Sequence, residues 1–114
     1  VLASALLADA TVEKVLALHV TVKHELIGVH VVSVGTLDAS PVHPREVFSE
    51  AIRNNAASVI FAHNHPSGAP ETSKDDLEIT KKLADSGKIL GIEVLDHIIT
   101  TKDNFLSFKE HGLI

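Results

Sequence analysis

The spacing of apolar residues changes several times along the chain, and each change predicts an element. Val15, Leu16, Leu18, Val20 and Val22 form a β-branched run, which predicts a strand over 13–22. Lys23-His24-Glu25 reads as a polar turn, and Leu26 to Gly35 (LIGVHVVSVG) as the second strand of a hairpin. Thr36 to His43 is a loop punctuated by Pro41 and Pro44, and Pro44 suits the first turn of a helix. Val47, Phe48, Ala51 and Ile52 then recur at helical spacing, predicting a helix over about 44–54 that ends at Asn54-Asn55. Ala57 to Ala62 is a short unbroken apolar run, the pattern of a buried central strand. His63 to Thr72 is a loop containing Pro66, Gly68 and Pro70. Ser73 opens an amphipathic helix to about Ser86, with Leu77, Ile79, Thr80, Leu83 and Ala84 inward and Gly87 as its C-cap. Leu90 to Thr100 and Asn104 to Phe108 predict two further strands. Residues 1–12 are Ala/Leu-rich and helical in character. They read as the end of an upstream segment leading into one domain over 13–114. The element order predicts an α/β (α+β-like) sandwich, a mixed β-sheet flanked by helices.

The chain has 114 residues, which suits one domain with its own core. There are no cysteines, so a metal must bind through His, Asp, Glu or backbone oxygen. The lack of disulfides fits a reducing, cytoplasmic setting. A net charge of -5 argues against a nucleic-acid surface, which needs excess Lys and Arg to neutralise phosphates. With no Trp or Tyr and four Phe, a platform for stacking bases is hard to build. No apolar run reaches the roughly 20 residues that a membrane span needs. Exposed sheet edges leave pairing into a homo-oligomer open.

The most informative stretch is His63-Asn64-His65-Pro66-Ser67-Gly68, directly after the predicted central strand. Strand residues two apart share a face, so His63 and His65 point the same way if the extended geometry continues, and Pro66 favours that geometry at His65. Two imidazoles so placed can bind one metal ion. Asp76 falls in the first turn of the following helix, where its carboxylate can return towards the strand end. His63, His65 and Asp76 would then make a mononuclear zinc site with a fourth position open, the pattern of a catalytic rather than a structural site. Each part has a plainer reading. A His-x-His in a strand is commonly structural, and Ser73-Lys74-Asp75-Asp76 fits a helix capping box. The combination is far rarer than its parts.

These residues resemble a known family. His63-Asn64-His65-Pro66, then Ser73 and Asp76, match the H-x-H-P-x6-S-x2-D signature of JAMM metalloproteins with the MPN fold. Further blocks are similar to the bacterial RadC branch: Gly35-Thr36-Leu37-Asp38-Ala39-Ser40, His43-Pro44-Arg45-Glu46-Val47-Phe48 and Leu95-Asp96-His97-Ile98-Ile99. The resemblance covers nearly all of the chain from about residue 13 onward. It implies an MPN/JAMM-type, cytidine-deaminase-like fold with one Zn2+ per chain on His63, His65 and Asp76. It implies that Ser73 supports the oxyanion of a tetrahedral intermediate. It also implies an upstream glutamate as general acid/base, and Glu13 matches best; Glu25 sits at the predicted turn and Glu46 in the RadC-like helix. The chain departs from the usual RadC hairpin at Thr21, near where an Asp commonly follows the first strand. The implied activity is zinc-dependent hydrolysis of an amide bond in a peptide or isopeptide-linked protein.

His19 and His30 read as ordinary strand residues, His24 and His111 as solvent-facing, and His43 as a loop-to-helix junction. His97 follows Asp96 in an otherwise apolar strand and is either a satisfied core histidine or a partner behind the metal ligands. A dispersed HNH nuclease unit, the zinc deaminases with their Cys pair, and the His-Glu-x-x-His peptidases do not fit these residues. The alternative from another class is a DNA-repair-associated interaction module with a structural or vestigial zinc site.

Overall fold

The computed structural model describes residues 2–7, 12–34, 42–65 and 73–114. The sequence blocks Gly35 to Ser40 and Pro66 to Gly68, and prolines 41 and 70, lie outside the described residues. The elements are α1 (Leu2–Leu7), β1 (Lys14–Val20), β2 (Leu26–Val34), α2 (Pro44–Arg53), β3 (Ser58–Asn64), α3 (Lys74–Leu90), β4 (Glu93–Thr100) and β5 (Phe105–Ser107). They build a five-stranded mixed sheet in the order β2-β1-β3-β4-β5. Only β3 and β4 run parallel, and α3 is the crossover between them. The predicted α/β sandwich is therefore the observed one.

β3 is the middle strand and its continuous apolar run is buried on both faces. On one face Val15, Ala17, Val59 and Phe61 pack against Val47, Phe48 and Ala51 of α2 and Leu83 of α3. On the other, Leu16, Leu18 and Ala62 are covered by Ala3 and Leu7 of α1. The first helix thus closes the second face of the sheet. β2 forms one edge, and its Ile27, Val29 and Val31 are exposed.

Most boundaries move by one to three residues, and two differences carry structural meaning. β3 runs two residues beyond the predicted Ala62, so His63 and Asn64 belong to the strand. α3 continues past Ser86 to Leu90, and its left-handed C-cap is Gly91 at φ 75°, not Gly87. Gly87 lies inside the helix for a different reason. A Cβ there would come within 2.3 Å of the Ile92 carbonyl oxygen and 3.3 Å of the Phe48 ring. The residue allows α3 to lie close against the chain that turns back into β4. In an exposed helix Gly→Ala stabilises by about 0.5–1 kcal/mol. Here Gly87→Ala is expected to destabilise by about 1–3 kcal/mol through overpacking against backbone, measured by urea unfolding; a gain in stability would show that α3 can move outward at no cost.

Candidate metal centre

The site lies at the carboxyl end of β3, where the chain leaves the sheet to enter the crossover helix. Open α/β sheets place ligands at such strand ends. Because Phe61 and His63 alternate with Ala62 and Asn64, the His63 ring falls on the α2/α3 face. It is fully enclosed, at 2% exposure. His65 follows the strand end, and its N–H donates to the Thr100 carbonyl at 2.8 Å, continuing the β3–β4 ladder. The two imidazoles do share a face: their centroids are 4.8 Å apart with the rings at 88°.

Asp76 reaches the same point from α3. Ser73 is the N-cap, and its Oγ accepts from the Asp76 N–H at 3.0 Å while Asp76 Oδ2 accepts from the Ser73 N–H at 3.1 Å. Asp76 Oδ1 lies 3.3 Å from His63 Nδ1, and Oδ2 lies 3.6 Å from His65 Nε2. The capping box and the histidine cluster are thus one arrangement. The cap holds the carboxylate in the rotamer that faces both rings. Burial alone would raise the Asp76 carboxyl, but the His63 imidazole and the Ser73 N–H outweigh it and hold the group down at about 2.

Glu13 directly precedes β1. Val15 pairs with His63 across the antiparallel ladder, so the chain before Lys14 runs past the end of β3. Asn64 fastens it there: its Oδ1 accepts from the Lys14 N–H at 2.6 Å and its Nδ2 donates to the Val12 carbonyl at 2.9 Å. One side-chain amide therefore grips the backbone on both sides of Glu13. Glu13 Oε2 lies 3.6 Å from His63 Nε2. Glu13, His63 and His65 each bring a ligand atom within 4.8 Å of the others. Glu13 and Asp76 thus approach opposite nitrogens of the same ring.

The donor set fits a zinc ion. Both nitrogens of His63 are buried and have no hydrogen-bond partner among the described residues, whereas buried polar atoms are normally satisfied. Two imidazoles with carboxylate oxygens are the ligands that zinc takes in the absence of thiolates.

Asn64 and Thr80 carry structure that the sequence did not announce; the only sign at Asn64 was an amide at the exit of an apolar strand. His97 is buried beside the cluster, with its centroid 6.0 Å from that of His63. Its Nδ1 is 2.5 Å from Thr80 Oγ1. His24 and His111 are exposed, as expected, and His43 takes the N-cap position of α2. His19 is fully buried, with Nδ1 2.9 Å from Asn54 Nδ2.

Comparison with known proteins shows the family of the chain. The RadC-like JAB domain matches residues 1–113. The chain belongs to the RadC-like JAB domain family. A UPF0758 protein of Geobacillus thermodenitrificans is 50% identical over 102 residues, covering 90% of this chain and 45% of the relative. The corresponding figures for a UPF0758 protein of Symbiobacterium thermophilum are 48% over 108 residues, 95% and 46%. A UPF0758 protein of Alkaliphilus oremlandii is 53% identical over 94 residues, 82% of this chain and 40% of its own. This RadC-like chain therefore spans less than half the length of these relatives. Among its described residues, no helix is long and apolar enough to cross a membrane.

The buried titratable groups set an acid limit on the metal-free domain. Burial pushes the His97 imidazole down to about 3, with His63 adding to the effect, Asp76 opposing it and His65 adding further. His19 is lowered in the same direction by burial and by His30, against Glu50. A histidine whose folded pKa is depressed leaves the unfolded chain binding more protons below about pH 6.5. Its stability is complete above that value and drains away as pH falls towards the folded pKa. Asp76 acts lower, losing its contribution only below its ordinary value of 3.8 and towards about 2. Unfolding free energy of chelator-treated protein is expected to fall below about pH 6.5 by up to about 1.4 kcal/mol per pH unit for each of His97 and His19. His97→Phe should flatten the slope between about pH 6 and 4; an unchanged slope in urea titrations would place the responsible group elsewhere.

Proposed function

We propose that this domain is a zinc-dependent hydrolase of peptide or isopeptide amide bonds. The observation that carries the reading is the His63 ring, buried, without hydrogen-bond partners, and bracketed by two carboxylates at 3.3 and 3.6 Å. Membership in the RadC-like JAB family and the open position of Glu13 support it. His63, His65 and Asp76 would hold one zinc ion per chain. Bound there, the ion would act as a Lewis acid towards a scissile carbonyl and lower the pKa of water towards about 7.

The chain's own groups would supply the remaining work. Glu13 is only half-buried, with Oε2 3.6 Å from His63 Nε2, so Oε2 can take a proton from water and deliver it to a leaving amine. Asn64 keeps the backbone around Glu13 from drifting, which preserves that reach. Ser73 Oγ uses a lone pair in the cap, and a serine hydroxyl still has its proton to donate. That O–H, exposed at the helix start, can stabilise the developing oxyanion. The substrate is a peptide or protein chain that exposes an amide to this rim.

Variants separate the roles. His63→Ala and Asp76→Ala are expected to lose both zinc and turnover. Glu13→Gln should keep zinc and lose turnover, and Ser73→Ala should lower kcat by about 10²–10³-fold. Zinc content by elemental analysis, alongside cleavage of a peptide library, reads both properties. An active Glu13→Gln removes Glu13 as the base, Glu13→Gln without zinc makes it a ligand, and a parent protein that takes up no zinc ends the proposal.

A further inference from the structure

α3 buries one stripe of residues, Asp76, Thr80, Leu83 and Gly87. Thr80 lies one turn beyond Asp76 on the same face, so whatever holds Thr80 also holds the turn that presents the Asp76 carboxylate. Thr80 and His97 are both nearly inaccessible, and Oγ1 and Nδ1 meet at 2.5 Å. Valine and phenylalanine would fill similar space without the desolvation that a hydroxyl and an imidazole incur. The pair therefore gives direction where apolar packing would give only contact.

His97 is itself held from three sides. Its N–H donates to Asp96 Oδ1 at 2.7 Å, and its carbonyl accepts from the Phe108 N–H at 3.0 Å. Its ring stacks on Phe108 with centroids 4.5 Å apart and 20° between planes. Asp96 is tied in turn to Ser107 Oγ at 2.6 Å and to the Lys109 N–H at 3.0 Å. His97 also pairs with Phe61 across the parallel ladder, two residues before His63. The ring is a strut fixed to the sheet, and Thr80 is where the helix meets it.

We propose that Thr80 and His97 are a positioning pair that fixes the first turns of α3 against β3 and β4, and thereby sets the zinc affinity of a centre that neither residue ligates. The inference rests on the zinc reading given above. Outer partners of this kind typically change metal affinity by about 10–100-fold.

The test is the Zn2+ affinity of chelator-stripped protein at neutral pH, by competition with a chromophoric chelator, together with urea unfolding of the same metal-free samples. Thr80→Val keeps the shape and removes the hydroxyl, and is expected to weaken zinc binding about 10–100-fold. Thr80→Ser restores the hydroxyl and should bind as the parent does. The visible spectrum of the Co2+-substituted protein should shift in Thr80→Val and superimpose on the parent's in Thr80→Ser. His97→Phe is an independent arm: it can keep the stack on Phe108, removes the nitrogen facing Thr80, and should show a loss like that of Thr80→Val. Parental zinc affinity in whichever of Thr80→Val and His97→Phe folds, with only the metal-free stability lowered, would make the pair structural and overturn the proposal. A parent that binds no zinc would overturn the metal centre and the pair's role together, so the two failures are distinguishable.

Discussion

A carboxylate buried to 1% exposure must find compensation on every side, and the placement of Asp76 follows from that need. Its Oδ2 accepts a backbone N–H at the helix start, and its Oδ1 faces an imidazole. The positive end of α3 adds favourable potential at the same point. Removing any of these would leave a charge in a dry place, so the helix start, the strand end and the two rings are tied to one another. The chemistry of the site is inseparable from the way the helix begins.

Sheet order brings the fourth participant in. β1 runs antiparallel to β3, so the residues just before β1 lie beside the residues at the end of β3. Glu13 and His63 are fifty positions apart in the chain yet adjacent in space. The parallel crossover to β4 then delivers α3 to the same end of the sheet, as such connections must. Four side chains from three segments converge, with Glu13 and His65 each one residue outside a strand.

The sheet, the helices and the closeness of Asp76 to His63 and His65 were legible because each rests on local periodicity. An apolar run marks a central strand, a two-residue step places both imidazoles on one side, and Ser73 followed by Asp76 marks a helix start. The capping and metal readings of Asp76 looked like rivals in one dimension. The cap is the one the structure contains, and the same carboxylate also faces both rings, Oδ1 towards His63 and Oδ2 towards His65. What stayed hidden depends on contacts between distant segments. Nothing local to Asn64 reveals that its amide grips residues 12 and 14. Gly87 read as a helix stop because glycine so often is one, and only the approach of Ile92 shows why the side chain must be absent. The partnership of Thr80 with His97 likewise needs the register of β4 against α3.

Gly87 has an effect that reaches beyond its own contact. With no side chain to hold it off, α3 rests directly on the backbone leading into β4 at one end, while the Ser73–Asp76 box anchors the other. α3 is thus fastened near both of its ends, so the gap between its first turn and the end of β3 is set largely by the chain itself. A cation entering the proposed centre would meet a spacing that the fold has already chosen, and the parts free to adjust to it would be side chains rather than whole elements.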